Sequence, residues 1–158
     1  MSALPPSAQR VQDAADARGL AVTVVEMAQP TRTAEEAATA CGVTVGQIVK
    51  SLVFLGATTG KPYLLLVSGA NRVNEKGVAA HFGEKLARPD ADAVRALTGY
   101  AIGGIPPFGH DTMLATYMDC DLIQYDVIWA AAGTPKAVFR TEPARLREVT
   151  GAVVIGVR

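Results

Sequence analysis

Lys50 is the residue whose place in the sequence most strongly suggests chemistry. It alternates with Leu52 and Phe54 at a period of two, which is typical of a β-strand and puts the three side chains on one face. The aliphatic stem of Lys50 would then follow an apolar surface, and its ammonium would either reach a pocket or extend to solvent at the strand end. The first alternative makes Lys50 a fixed cation for an anion such as a phosphate.

The second chemically suggestive stretch covers residues 100–110, which read Tyr-Ala-Ile-Gly-Gly-Ile-Pro-Pro-Phe-Gly-His. Three glycines and two prolines in these eleven residues exclude the middle of a helix or of a central strand. The composition predicts a rigid loop between two strands, with exposed backbone amides that could bind an oxygen. A purely structural turn would satisfy the same composition.

The usual arrangements for nucleophilic or metal-assisted catalysis are missing from the sequence. Ser68 is not in a Gly-x-Ser-x-Gly turn, and His110 and Asp111 are chain neighbours, which seldom form a working base and orienting group. Cys41 and Cys120 are far apart and are predicted to be reduced, packed thiols, and two histidines are too few for a closed zinc site. No cofactor and no metal is therefore expected, so catalysis would depend on positioning, backbone donors and a fixed charge.

The elements that must position these residues are a mixture of strands and helices. Helix starts are predicted at Ser7, at the capping boxes Thr33–Glu36 and Thr44–Gln47, and at Asn74, Asp90 and Pro143. Strands are predicted at residues 20–26, 50–55, 63–68, 113–118, 125–132, 137–141 and 151–157. Because strands and helices do not alternate as regular βαβ units, the sequence predicts an α+β (mixed α/β) fold in which helices flank a mixed sheet.

Length and composition limit the classes of protein that need to be considered. The chain has 158 residues, 49% of them hydrophobic, so residues 1–158 are predicted to form a single domain with a real core. Fifteen basic and fifteen acidic residues leave no net charge, so an RNA partner would have to be held by a local patch. No apolar run is long enough to span a bilayer, and the first residues lack the features of a signal peptide. These observations predict a cytoplasmic location, with no membrane and no DNA as partner.

Two segments together carry a resemblance to a known family. Residues 47–54, Gln-Ile-Val-Lys-Ser-Leu-Val-Phe, and residues 98–109, Thr-Gly-Tyr-Ala-Ile-Gly-Gly-Ile-Pro-Pro-Phe-Gly, resemble the YbaK/ProX-type aminoacyl-tRNA deacylases. That family includes free-standing proteins and the editing insertion of bacterial prolyl-tRNA synthetases. Its markers are a lysine that begins a strand, here Lys50, and a Gly-x-x-x-Pro loop, here Gly103 to Pro107. The resemblance extends from Leu20 to the end of the chain and implies a partly barrel-like mixed sheet flanked by helices.

The resemblance implies hydrolysis of the ester that joins a wrong amino acid to the 3′ end of a tRNA, most often the tRNA for proline. It places Lys50 in the pocket, where the cation would hold the terminal phosphate or polar groups of the substrate. Backbone amides of the loop would hold the ester carbonyl as negative charge develops; the loop residues are Gly103, Gly104, Ile105, Pro106 and Pro107. Water, or a substrate group such as a cysteine thiol or a ribose hydroxyl, would be the nucleophile.

A second pocket is needed because a site for proline cannot strongly reject smaller amino acids; a missing methylene changes binding by only about 1–3 kcal/mol. The candidates for lining that pocket are Thr33, Ser68, Gly69, Gly133, Thr134 and Lys136. Some relatives carry a histidine in the turn that reads Gly-Thr-Pro-Lys here. The edited amino acid therefore stays open among cysteine, alanine, serine and threonine.

The expected partner is a mischarged tRNA, and prolyl-tRNA synthetase is a further partner that the sequence neither requires nor excludes. The basic residues expected at the pocket mouth, besides Lys50, are Arg32, Arg72 and Lys76. Two other functions stay open: a non-catalytic module that binds RNA ends or a small metabolite, and an esterase for small esters. The missing nucleophile argues against the esterase.

Overall fold

The structure, a computed structural model, describes residues 3–158 and contains there five α-helices, eight β-strands and two short 3₁₀ turns. The helices are α1 (Pro6–Ala17), α2 (Ala34–Cys41), α3 (Glu75–Phe82), α4 (Ala91–Thr98) and α5 (Pro143–Thr150). The strands are β1 (Val25–Glu26), β2 (Ile48–Gly56), β3 (Pro62–Ser68), β4 (Leu86–Ala87), β5 (Ala115–Asp119), β6 (Ile128–Ala131), β7 (Ala137–Thr141) and β8 (Val153–Ile155). The 3₁₀ turns are Val45–Gln47 and Cys120–Gln124.

The eight strands form one mixed sheet with helices around it, which confirms the predicted fold class. Along the main path the order is β1-β7-β6-β2-β3-β5-β8, and β4 pairs with the end of β2. The β1–β7, β6–β7, β2–β3 and β2–β4 pairs are antiparallel, whereas β2–β6, β3–β5 and β5–β8 are parallel. Strand β3 is buried along nearly its whole length, as its apolar sequence predicts for a central strand.

Helices cover both faces of this sheet. One face, which includes Val49 and Phe139, packs against α1, α4 and α5. The opposite face packs against α3 through Phe54 and Val67, and against α2 through Ile48. No helix within residues 3–158 combines the length and the apolar composition needed to cross a membrane.

Most of the helix starts predicted from side-chain caps are confirmed. The Thr33–Glu36 capping box precedes α2, and the side chains of Asn74 and Asp90 accept backbone N–H bonds at the starts of α3 and α4. The Thr44–Gln47 box is also present, but the segment that follows it is a 3₁₀ turn. Local capping chemistry therefore fixes these boundaries.

Proline, rather than serine, starts the first helix. Helix α1 begins at Pro6 and has Pro5 at its N-cap, so the prediction of Ser7 as the cap is wrong. The fixed φ of proline and its missing N–H suit the first helical position, where the N–H would have no partner in the helix. Helix α5 begins at Pro143 for the same reason, as predicted.

The strand predicted over residues 20–26 is wrong for most of its length, because only Val25–Glu26 pairs in the sheet. The preceding backbone is bonded to α1 instead. Gln12 Nε2 donates to the carbonyl of Val22 at 3.0 Å, and the N–H of Val24 donates to Gln12 Oε1 at 2.8 Å. One side chain thus satisfies the backbone groups that a neighbouring strand would otherwise take. The other predicted strands are present: β7 has its predicted bounds, β2 and β3 are longer than predicted, and β5, β6 and β8 are shorter. Strand β4 was not predicted.

Candidate active site

A cavity of about 350 Å³ opens beside β2 where this strand leaves β6. The two strands pair only at Ile48–Trp129 and Val49–Ala130. Beyond that point, this edge of β2 has no partner within residues 3–158 until β4 pairs with Leu55. The main lining segments are residues 31–35, residues 48–52, residues 102, 103 and 105, and residues 129–131. The candidate lysine strand and the glycine–proline loop therefore meet at one cavity.

Lys50 lines this cavity with a partly buried side chain. Its Nζ donates a hydrogen bond of 2.5 Å to the backbone carbonyl of Asn71, the one bond it makes within residues 3–158. Burial lowers the pKa of Lys50; the charges of Glu35 and Asp119 act in the opposite direction, and that of Arg72 adds to the lowering. Because an ammonium has three donors, two remain for a ligand.

A buried carboxylate positions Asn71, whose backbone carbonyl accepts the hydrogen bond from Lys50. Asp119, at the end of β5, is 1% exposed, and its Oδ2 accepts bonds from the Asn71 side chain at 2.8 Å and from the Ser68 N–H at 3.1 Å. Asn71 also donates to Asp121 at 2.8 Å. Sequence reasoning missed this network, because only the β3–β5 pairing brings the two strand ends together.

Asp119 and Asp121 form a cluster with Cys120, and the hydrogen bonds and the ion pair of the two carboxylates indicate a structural role for this cluster. One ligand-type atom from each of Asp119, Cys120 and Asp121 lies within 4.8 Å of the others. Both carboxylates already accept bonds from Asn71, and Asp121 forms an ion pair with Arg158 at 3.1 Å. Both cysteines of the chain are free as predicted, but Cys120 is exposed, so the prediction that it is packed is wrong.

Only two of the five predicted loop residues line the cavity, namely Gly103 and Ile105. Pro106 and Pro107 have no N–H, and the N–H of Gly104 donates within the loop to a carbonyl at 3.0 Å. The N–H groups of Gly103 and Ile105 have no acceptor within residues 3–158. They are therefore the donors in residues 103–107 that could bind an ester oxygen.

Two glycines let this loop approach its neighbours closely. Gly103 has a φ of 95°, and a Cβ there would lie 2.7 Å from Cγ of Arg32. A Cβ at Gly104 would lie 2.9 Å from the backbone nitrogen of Thr134, and the carbonyl of Gly104 accepts a bond of 2.8 Å from the N–H of Gly133. The loop is thus fixed between the cavity and the turn that precedes β7.

Helix α1 contacts the loop segment at both of its ends, through Arg10, a role that sequence reasoning missed. Arg10 Nη2 donates to the carbonyl of Gly109 at 3.1 Å and forms an ion pair with Asp111. Its guanidinium also lies 4.8 Å from the ring centroid of Tyr100. These three contacts join the first helix to both ends of the segment that carries the candidate donors.

Of the predicted substrate-binding residues, Thr33 and Gly69 line the cavity. The four that do not are Ser68, Gly133, Thr134 and Lys136. Ser68 is 1% exposed, and its Oγ donates to a backbone carbonyl at 2.7 Å. The three turn residues lie behind the loop, where Thr134 Oγ1 accepts the N–H of Lys136 at 3.2 Å. The prediction that these four residues line the substrate pocket is therefore wrong for this cavity.

Of the predicted tRNA-binding residues, Arg32 lines the cavity, whereas Arg72 and Lys76 are exposed and lie outside its lining. Arg72 is nevertheless close enough to lower the pKa of Lys50. Glu35, which the sequence explains by the helix dipole alone, also lines the cavity, and its charge raises the pKa of Lys50. Charges of both signs therefore surround the opening.

Three further lining residues carry no sequence signal of their own. Thr31 is 5% exposed and donates to a backbone carbonyl at 3.1 Å. Ser51 Oγ is the one buried side-chain oxygen or nitrogen within residues 3–158 without a hydrogen-bond partner, and an unpaired buried polar group costs about 1–3 kcal/mol. Trp129 presents an indole at the same cavity. Ser51 also lines the cavity, on the part of β2 that has no partner strand on this edge, which a sequence pattern does not reveal.

The arrangement can bind a carbonyl and an anionic group, and it can stabilise negative charge. It offers the Lys50 ammonium, the N–H groups of Gly103 and Ile105, and the unpaired hydroxyl of Ser51. No histidine or cysteine is among the described residues that line it. Electrostatic stabilisation of a developing oxyanion is sufficient for an activated ester when the nucleophile comes from solvent or substrate.

Comparisons with known proteins agree with this chemistry. Residues 28–149 match the family described as the aminoacyl-tRNA editing domain. The Bacillus subtilis protein YwhH, which is uncharacterised, is 32% identical over 128 residues, 79% of each chain. The Enterococcus faecalis protein EbsC, named as a candidate Cys-tRNA(Pro)/Cys-tRNA(Cys) deacylase, is 29% identical over 126 residues, 74% of this chain and 76% of its own.

A solved structure gives the same result over almost the whole chain. It is described as a candidate trans-editing enzyme for prolyl-tRNA synthetase, is 50% identical, and superimposes with a TM-score of 0.93 over 99% of both chains. The family match alone covers most of the sequence, including the lysine strand and the glycine–proline loop. The chain belongs to the aminoacyl-tRNA editing domain family, and its function is that of an editing deacylase, a hydrolase of the ester bond of aminoacyl-tRNA.

Proposed function

We propose that the cavity beside β2 is the active site of a deacylase that acts in trans on mischarged tRNA for proline. One observation carries the proposal: Lys50 lines the same small cavity as Gly103 and Ile105, which are distant from it in sequence and whose N–H groups have no acceptor within residues 3–158. The solved relative described as a trans-editing enzyme supports action in trans, because it is aligned over 99% of its length.

The reaction needs no protein nucleophile. A water oxygen attacks the ester carbonyl carbon, and the carbonyl oxygen becomes an oxyanion that the N–H groups of Gly103 and Ile105 stabilise. The bond between that carbon and the ribose oxygen then breaks, and the proton released by the water ends on the ribose. The products are the free amino acid and the uncharged tRNA. One such backbone donor contributes roughly 2.7–4 kcal/mol to the stability of the transition state.

Lys50 and Ser51 bind the substrate in this scheme. The two free donors of the Lys50 ammonium hold the phosphate or another polar group of the terminal nucleotide. The unpaired hydroxyl of Ser51 pairs with a polar group of the aminoacyl moiety, which removes the cost of leaving it buried without a partner. Arg32, at the opening beside Gly103, contributes a second cation for the tRNA backbone.

The edited amino acid is one of cysteine, alanine, serine and threonine. Cysteine is the first to test, since the Enterococcus faecalis relative is named for Cys-tRNA. Prolyl-tRNA synthetase is the proposed functional partner, because the solved relative is described as editing for that enzyme. We also propose that residues 1–158 act as one editing domain, since Arg10 of α1 bonds to the loop although α1 precedes the matched segment.

The decisive experiment is deacylation by catalytic amounts of protein across a panel of tRNAs. The tRNA for proline is charged in turn with cysteine, alanine, serine, threonine and proline, and release of the amino acid is followed over many turnovers. Rapid turnover of at least one mischarged substrate, with little on the correctly charged one, is expected. Stoichiometric binding without release would instead support a non-catalytic module, and turnover of small esters without tRNA would support a general esterase.

Lys50→Met tests the site with the best substrate from that panel. We expect turnover to fall roughly a hundredfold, the scale of other lost electrostatic contacts to a transition state, while the circular dichroism spectrum stays unchanged. Lys85→Met is the matched control, because Lys85 is exposed and lies outside the cavity lining. Equal turnover in the two variants would remove Lys50 from the proposed mechanism.

A further inference from the structure

We propose that Trp129 is the platform on which the 3′-terminal adenine of the tRNA stacks, with Arg140 beside it for a backbone phosphate. The inference rests on the proposed function, because it concerns the part of the substrate that adjoins the ester. It adds a binding site for the base to a cavity whose other groups act on the ester and its charges.

The register of the sheet places Trp129 and Lys50 on one face. Trp129 pairs with Ile48 in the parallel β2–β6 ladder and packs against it, and Lys50 is two residues further along β2. Residues two apart on a strand point to the same side. The neighbouring Val49–Ala130 pair points the other way, into the core beneath α1 and α5. The indole and the ammonium therefore share a surface.

Their separation fits one nucleoside. Neighbouring strands lie about 4.8 Å apart and each residue advances a strand by about 3.3 Å, so the Cα atoms of Lys50 and Trp129 are roughly 8 Å apart. In an aminoacylated tRNA, one ribose ring separates the terminal adenine from the ester. An ester held near Lys50 and Gly103 thus leaves the adenine within reach of the indole.

The indole itself is available for stacking. Trp129 is partly exposed at the cavity, and none of the ring–ring or cation–ring contacts within residues 3–158 involves it. It packs against the buried cluster of Ala37, Ala38 and Ile48. A partly exposed aromatic ring that lines a cavity is what single-stranded nucleic-acid sites use to stack bases.

Arg140 extends the same surface by one strand. It lies directly opposite Trp129 in the antiparallel β6–β7 pair, so their side chains are neighbours on one face. Arg140 is exposed and forms no ion pair within residues 3–158. The order across three strands is therefore ammonium, indole and guanidinium. The proposed base platform thus has a cation on each side, Lys50 for the terminal nucleotide and Arg140 for a backbone phosphate.

The adenine is a better occupant for this ring than the amino acid. Cysteine, alanine, serine and threonine have no planar group to lie on an indole, whereas every tRNA substrate ends in the same adenosine. A sequence-independent platform for that base would let the cavity discriminate among amino acids while holding all substrates alike.

The first test uses the fluorescence of Trp129, which is the only tryptophan in the chain. The protein is titrated with an uncharged RNA hairpin that ends in CCA and with an identical hairpin whose terminal nucleotide lacks the base. The CCA hairpin should quench the emission saturably, and the abasic hairpin should not. Equal quenching by both, or by neither, would overturn the proposal. No ester is hydrolysed in this experiment, so its outcome does not depend on the proposed activity.

The second test separates the effect of the Trp129 ring on KM from its effect on kcat. Trp129→Leu keeps an apolar contact with Ile48 but removes the aromatic face, and it should raise KM for mischarged tRNA roughly five- to 150-fold while kcat changes little. Trp129→Phe should restore most of the affinity. An unchanged KM in Trp129→Leu would refute the platform alone, whereas a wild-type protein that quenches with CCA yet hydrolyses nothing would refute only the proposed function.

Discussion

At the scale of single residues, the cavity uses charge and backbone donors in place of a protein nucleophile. Lys50 has two free donor positions, and Gly103 and Ile105 supply the N–H groups that two prolines and Gly104 cannot. Oxyanion donors act mainly when charge develops on the carbonyl oxygen, so their loss should reduce kcat more than it raises KM. That distinction separates the loop residues from residues that only bind tRNA.

Gly103→Ala tests the loop. The φ of 95° is unfavourable for alanine, and the new Cβ would meet the Arg32 side chain, so the loop backbone is strained and either it or Arg32 must shift. We expect kcat to fall roughly 100- to 1000-fold through loss of an aligned N–H, and the free energy of unfolding to drop by about 1–3 kcal/mol. A deacylation assay with quenched time points measures kcat, and urea unfolding measures the free energy of unfolding.

Gly60→Ala is the matched control for that substitution. Gly60 has a φ of 73°, and its Cβ would meet no atom within 4 Å, so alanine there carries a similar backbone strain outside the lining of the Lys50 cavity. It should lose similar stability but keep its kcat. If Gly60→Ala lost as much activity as Gly103→Ala, general destabilisation would explain both, and Gly103 would have no part in the chemistry.

Lys50 and Gly103 could be predicted from the sequence because each belongs to a local pattern, a strand of period two and a glycine–proline loop. Ser51, Trp129 and Asp119 could not. Their roles depend on which strand edge is left open and on which strand ends meet, and both are properties of the folded sheet. Conversely, Ser68 and Thr134 have side chains suitable for binding a substrate, but the folded sheet places both outside the cavity lining.

At the scale of elements, the turn after β3 connects the buried carboxylate to the cavity. Asp119 fixes Asn71 and the start of the turn, and the carbonyl of Asn71 in turn holds the Lys50 ammonium. The charge of Asp119 also favours the protonated form of Lys50, against the effect of burial on its pKa. Asp119 is therefore a positioning residue, and its removal should alter the titration of a lysine that it does not touch.

Asp119→Asn should shift the pH profile toward acid. Lys50 acts as a cation, so activity is lost as pH rises through its pKa, which burial already places below the ordinary lysine value. Without the Asp119 charge that pKa falls further, and the alkaline limb of kcat/KM moves to lower pH. The profile is measured with uncatalysed ester hydrolysis subtracted at each pH, and Lys50→Arg should flatten the limb.

Asp121→Asn separates charge from hydrogen bonding. Asp121 accepts a bond from the same Asn71 side chain, but its charge has no part in the pKa shift of Lys50. The substitution should loosen the turn after β3 slightly and leave the alkaline limb of the kcat/KM profile at the same pH. Equal movement of the limb in both variants, or movement in neither, would show that Asp119 does not act on Lys50 through its charge.

Capping residues predicted the helices better than apolar patterns predicted the strands. Thr33, Asn74 and Asp90 act on N–H groups within three residues, so the sequence contains the whole interaction. Residues 20–26 have a β-branched composition typical of a strand, yet Gln12 bonds to two of their backbone groups, the carbonyl of Val22 and the N–H of Val24. Tertiary hydrogen bonds of this kind have no signature in a local window.

At the scale of the whole molecule, tRNA capture has to be local. Fifteen basic and fifteen acidic residues cancel, so no long-range field draws in a polyanion. The cations at the cavity are few, chiefly Lys50 and Arg32, and Glu35 lies among them. Affinity for the tRNA should therefore be modest and should come from a small number of phosphate contacts together with the fit of the 3′ end.

Salt dependence measures that number of contacts. With about two phosphates neutralised on a single-stranded end, log(kcat/KM) should fall with log salt at a slope near −1.4, roughly sevenfold between about 50 and about 200 mM. Arg32→Gln should reduce the slope by about 0.7, whereas Lys85→Gln, at an exposed position away from the cavity, should not change it. The kcat at saturating tRNA should stay constant across the series, because the ions compete for binding and not for the ester. A kcat/KM indifferent to ionic strength would rule out phosphate anchoring and leave shape and stacking to hold the substrate.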